Sequence, residues 1–158
     1  MTKDQNQNSM FNDDDLFDGL DEVESWDRLP WFAAGHSYVL KITDVKLVNS
    51  SNEYGVRFYV LEFEIIESTC PELPPGSRAS HRIKCTQDSK TRTYGPMNFK
   101  QFLSGVTGIP SNTKDVFGEL GKDAVYHGAL NGQYVRLQTA LNNTGKFTNH
   151  VYSPYKAE

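Results

Sequence analysis

Six basic residues stand between positions 78 and 100 (Arg78, Arg82, Lys84, Lys90, Arg92 and Lys100) against a single acid, Asp88. Arg78, Arg82 and Lys84 fall on even positions of an apolar–polar alternation, so a strand here presents all three cations on one face. The stretch that follows is a polar loop, and it adds Lys90, Arg92 and Tyr94. Cations along an extended segment, interleaved with an aromatic, suit single-stranded nucleic acid: the cations neutralise phosphates and the aromatic stacks on bases. Arg57 and Phe58 on an earlier strand, and Tyr134 and Arg136 on a later one, extend the candidate surface. A solvated, charged strand face is the plain alternative. The scarcity of acids is what favours binding.

A second block has the opposite sign. Residues 1–32 hold nine acids and two bases, net −7, while residues 33–158 hold eleven acids and fourteen bases, net +3. The overall charge of −4 thus combines an acidic arm (1–32) with a mildly basic body (33–158). Salt confines each charge to a reach of about 8–10 Å, so a basic stripe can collect a polyanion on an acidic protein. Residues 1–12 are Asn-, Gln- and Asp-rich and are predicted to be disordered. Beyond them Leu16, Phe17, Leu20, Val23, Trp26 and Leu29 recur at spacings of three and four, with acids between and Gly19 breaking the period. A purely solvating tail rarely carries such groups. Asp13, Asp14, Asp15, Phe17 and Trp26 are therefore candidates for holding a partner protein, or for visiting the basic stripe of the same chain. Pro30 closes any helix, and Trp31 and Phe32 are expected to anchor the arm.

Other chemistries find little support. Glu62 and Glu64 are two residues apart on one strand face, about 7 Å, with no third acid or His at useful spacing, and are expected to face solvent. Ser77, Ser80 and His81 form no recognisable triad. The four histidines and two cysteines (Cys70, Cys85) lack metal-ligand spacing, so no metal or cofactor is expected and the cysteines are expected to be reduced thiols. Nothing argues for an enzyme. No apolar run approaches a membrane span, and residues 1–10 are polar without a signal-like apolar stretch, so a cytoplasmic location is expected.

The elements that must position these residues are mainly β. Strands are predicted over 37–48, with a phase shift near Thr43 and Asp44, then over 54–67, 78–85, 133–141 and 146–152. Tyr59, Leu61, Phe63 and Ile65 form the expected core face of the second. A helix is predicted over 96–106, opened by Pro96, and a shorter one near 114–120. Residues 125–130 read as a short strand or loop, and residues 142–145 as a hairpin turn. Three strands, one or two helices and two strands is the order of a five-stranded, partly open barrel of the OB type.

With these elements in place, the chain resembles a family of small phage and prophage proteins encoded among replication and recombination genes. The resemblance lies in AGHSYVLKITDVKL within 33–47, YGVRFYVLEFEIIES at 54–68, the N-x-K-x-F-L-x-x-x-T-G element at 98–108 and FTNHVYSPY at 147–155. It implies an OB-fold single-stranded DNA-binding protein that protects ssDNA in the host cytoplasm, with replication or recombination proteins as further partners. Such proteins often carry an acidic tail at the C-terminus; here the acids are N-terminal. A phage protein-interaction module, such as a replication accessory or host-factor inhibitor acting through the arm, is the competing expectation.

Overall fold

The computed structural model describes residues 29–50, 55–86 and 94–155. The elements, in chain order, are β1 (Ser37–Asn49), β2 (Arg57–Ser68), β3 (Arg78–Cys85), α1 (Tyr94–Thr107), α2 (Phe117–His127), β4 (Tyr134–Leu141) and β5 (Thr148–Pro154). The five strands form one open antiparallel sheet in the order β3-β2-β1-β4-β5. The mainly β architecture with two helices between the third and fourth strands agrees with the sequence.

β1 is central because of its length. Residues 38–49 pair along β2, and residues 37–41 also pair with β4. The register slips between Val39 and Leu40 and between Ile42 and Asp44, the second beside the phase shift in the sequence. Bulges of this kind bend and twist a strand. Among the described residues β3 and β5 exchange no ladder, so the sheet remains open. Their side chains nevertheless meet: His81 Nδ1 of β3 and the Tyr152 hydroxyl of β5 are hydrogen-bonded at 2.7 Å.

The core lies on the face carrying Leu40, Ile42, Leu61, Phe63, Ile65, Val135 and Leu137, all buried. The alternation along β2 places Leu61, Phe63 and Ile65 there as expected, with Tyr59 half-buried and stacked on Phe99 at 4.0 Å. α1 covers this face with Phe99, Phe102, Leu103 and Val106. It lies directly on β5 because residue 105 is glycine: a Cβ there would sit 2.5 Å from Tyr152 Cβ and 2.6 Å from its carbonyl oxygen.

Two sequence expectations shift. α1 begins at Tyr94 rather than Pro96, so Tyr94 opens the helix instead of lying in a loop. The second helix starts at Phe117, because Asp115 adopts the left-handed φ of 65° that a right-handed helix cannot include. It runs through Val125 to His127 and ends at Gly128, whose φ of 63° and ψ of 30° form a left-handed cap. Residues 125–127 are helical, not a strand. Among the described residues no helix is long and apolar enough to cross a membrane.

Candidate nucleic-acid interface

The seam between β3 and β5 is bounded by the incoming chain. Pro30 O accepts a hydrogen bond from Ser80 N at 2.9 Å, and Trp31 forms a parallel bridge with Ser80. The two expected anchors then part company. Phe32 turns into the core, edge-on to Tyr38 at 4.9 Å and to Phe63 at 5.8 Å. Trp31 stays on the surface, 70% exposed.

A recess of about 470 Å³ opens here, in the range typical of ligand pockets. Trp31 and Phe32 form one side, and Phe58, Ser80, His81 and Arg82 of β2 and β3 another. Residues 146–148 and His150 close it from β5 and the loop before it. Arg82 lies over the Phe58 ring, 4.4 Å from its centroid, within cation–π range. The opposite rim is set by the β4–β5 turn. Asn142 N donates to Phe147 O at 2.8 Å, and Asn142 Oδ1 accepts from Lys146 N at 3.2 Å. Those bonds present Lys146 and Phe147, the latter 68% exposed. Three segments far apart in sequence thus bring cations and exposed aromatics to one opening.

The floor is uncharged at neutral pH. The His81 and His150 rings stack with centroids 3.6 Å apart. Burial holds His81 well below the ordinary imidazole value, and the nearby His150 adds to that shift. Burial pushes His150 down to about 4, against a smaller opposing effect of a backbone hydrogen bond at Thr148. The Tyr152 hydroxyl is pushed well up by burial, so it stays protonated.

The candidate residues from the sequence divide into groups. Arg82 and Phe58 are together at the recess, and Lys84 faces Phe58 across the β2–β3 ladder. Tyr94 is 55% exposed at the start of α1, next to Gly95, which packs against the Lys84 carbonyl and Cys85. Arg78 lies at the other end of β3, where its guanidinium reaches Glu62 at 3.7 Å. Glu62 is only 4% exposed and also binds Lys46 Nζ at 3.2 Å. The expectation that Glu62 faces solvent is therefore corrected: cross-strand cations cover it, while Glu64 is partly exposed. Alternation assigns Arg57 to the Tyr59 face, away from Phe58. Tyr134 and Arg136 form a separate cluster with Tyr155, at 5.8 Å and 5.1 Å from its ring. Lys90, Arg92 and the arm residues Asp13, Asp14, Asp15, Phe17 and Trp26 lie outside the described residues.

Sequence reasoning missed Trp31, Lys146 and Phe147 as site residues. A large apolar residue leaving the Asn-Asn-Thr-Gly-Lys turn was the available signal for Phe147. Among the described residues no group of three His, Cys, Asp or Glu side chains is placed to hold a metal ion. Neither a scan against protein-family models nor a search of curated proteins returned a match to this chain.

Proposed function

We propose that this protein is an OB-type barrel that binds single-stranded DNA with little sequence preference, as part of phage replication or recombination. The observation that carries the reading is the convergence of Trp31, Phe58 and Phe147 with Arg82 and Lys146 at one recess. OB folds bind oligonucleotides on the face of strands 2 and 3 and on the loops joining strands 1–2 and 4–5. Phe58 and Arg82 lie on β2 and β3, and Lys146 and Phe147 lie at the β4–β5 connection. The strand order β3-β2-β1-β4-β5, with β3 and β5 facing across the seam, supports a partly open barrel.

In this reading Arg82, Lys84 and Lys146 neutralise phosphates, and the exposed aromatics, Tyr94 included, stack on bases. Arg78 contributes less, because Glu62 already holds it.

The test is binding of labelled oligo-dT across a salt series by wild type and by the Arg82→Ala, Lys84→Ala double variant. Wild type is expected to bind with a negative log–log salt slope. The variant is expected to bind more weakly, its slope shallower by roughly 0.7 for each phosphate that is no longer neutralised. Failure of the folded wild type to bind at low salt overturns the DNA reading and favours the protein-interaction module. An unchanged slope in a folded double variant removes this end of β3 from the site.

A further inference from the structure

Ser80 is the buried serine of the recess. It is 1% exposed, and its Oγ has no hydrogen-bond partner among the described residues. Its backbone is fixed on both sides, opposite Glu62 in the β2–β3 ladder and bonded through its N–H to Pro30 O. Only the side chain is left to find a partner. A buried hydroxyl without one carries a desolvation penalty that a ligand can relieve. Ser80 is among the residues lining the recess, whose exposed rim carries Trp31 and Phe147.

Polarity grades with depth. Arg82 and Lys146 are the cations lining the recess, while the floor is Phe32 and the stacked imidazoles of His81 and His150. Such a floor disfavours a phosphate and suits a neutral planar ring. Resting on the single-stranded DNA reading, we propose that the recess takes one nucleobase out of the bound strand. The base stacks against the exposed aromatics and meets Ser80 Oγ with its edge, while its flanking phosphates stay with Arg82 and Lys146. A hydroxyl donates as well as accepts, so it can serve the edge of any of the four bases. One such hydrogen bond therefore adds affinity without imposing a sequence.

The experiment compares oligo-dT with an oligomer of equal length and equal phosphate count built from abasic residues. Both are measured with wild type, Ser80→Ala and Trp31→Ala, with thermal melts alongside. Wild type is expected to bind the abasic strand more weakly by at least roughly 5-fold, the lower limit for a single stacked base. Ser80→Ala is expected to melt no lower than wild type, since it removes an unpartnered buried hydroxyl. It should nonetheless lose about 3- to 10-fold in affinity for oligo-dT and nothing for the abasic strand. Trp31→Ala, a change at an exposed side chain, should narrow the same dT-to-abasic ratio. Equal binding of both strands by wild type overturns the base recess and leaves phosphate binding standing. So does an unchanged dT-to-abasic ratio in both variants. Loss of binding to both strands by wild type itself is the distinct failure of the DNA reading.

Discussion

The imidazoles of His81 and His150 lie face to face, 3.6 Å between centroids, although they belong to the two edge strands of one open sheet. The seam between these edge strands is thus bridged by rings, with the Tyr152 hydroxyl at 2.7 Å from His81 Nδ1 and Phe32 edge-on to His150 at 6.4 Å. A bridge of neutral imidazoles depends on their staying neutral.

That dependence sets a pH window. A histidine whose folded pKa is depressed binds its proton more readily in the unfolded chain, so protonation favours unfolding. The stability tied to His150 is complete above the ordinary value of 6.5 and is lost as pH falls toward about 4, and the depressed His81 adds to the loss below 6.5. The melting temperature is expected to drop across pH 6.5 to 4. His150→Phe keeps a ring in the stack and cannot titrate, so circular-dichroism melts of this variant should show a flatter profile. A variant as pH-sensitive as wild type would place the acid sensitivity elsewhere.

Gly105 makes a sterically sharper prediction. An added methyl would meet Tyr152 backbone and side-chain atoms at 2.5–2.7 Å, with flexible side-chain ends absent from the collision. Gly105→Ala is expected to cost about 1–3 kcal/mol by overpacking, despite the better helix propensity of alanine. Because Tyr152 touches His81, the same variant should lift β5 away from the seam. Denaturant melts measure the first effect, and the pH profile of stability measures the second.

Glu62 predicts two readouts of opposite sign. Its carboxylate is buried and joins Lys46 and Arg78, which are half-exposed. Glu62→Gln is expected to lower stability by about 1–3 kcal/mol, since the variant removes the charge that strengthens hydrogen bonding at a buried site. It also releases Arg78 and leaves Lys46 with Asp44 at 3.9 Å, on the face that carries Arg82. Oligonucleotide binding at low salt should tighten and its salt dependence steepen. Weaker binding in a folded variant would show that Glu62 acts only by shaping the sheet.

The arm yields the fourth prediction, from sequence. Deleting residues 1–28 removes a net −7 and is expected to tighten DNA binding at low salt, with a smaller effect at high salt. Replacing Phe17 and Trp26 by alanine, with every charge retained, separates two causes. Tighter binding in that variant means the aromatics compete for the stacking positions. Wild-type affinity means that the arm acts by repulsion alone or serves a partner protein.

The strands were legible because their core faces alternate: Leu61, Phe63 and Ile65 announce β2 without help from any other segment. The burial of Val60 and Glu62 on the opposite face was not legible. It depends on register, which lays Arg82 and Lys46 beside Val60 and brings Arg78 to Glu62. α2 was misplaced because Gly118 and Gly121 weaken the local helical signal, and the left-handed Asp115 that sets its start leaves no trace in composition. At the site, the period-2 cations of β3 pointed to Arg82 and Lys84. The recess itself was invisible, because residue 31, residues 80–82 and residues 146–148 come together only through the fold.

The short bridge between Trp31 and Ser80 has one more consequence, which concerns solubility. An uncovered edge strand offers its backbone groups to any other chain, and β3 is such an edge on the side away from β2. Pro30 supplies a carbonyl to that edge and, having no N–H, cannot itself recruit a further strand through that atom. A truncation that begins at residue 29 keeps this cover. One that begins at residue 33 strips it, along with the Phe32 ring from the core, and leaves β3 free to template strand addition between molecules. The shorter protein should therefore form sheet-rich oligomers that grow with concentration, whereas the longer one should not.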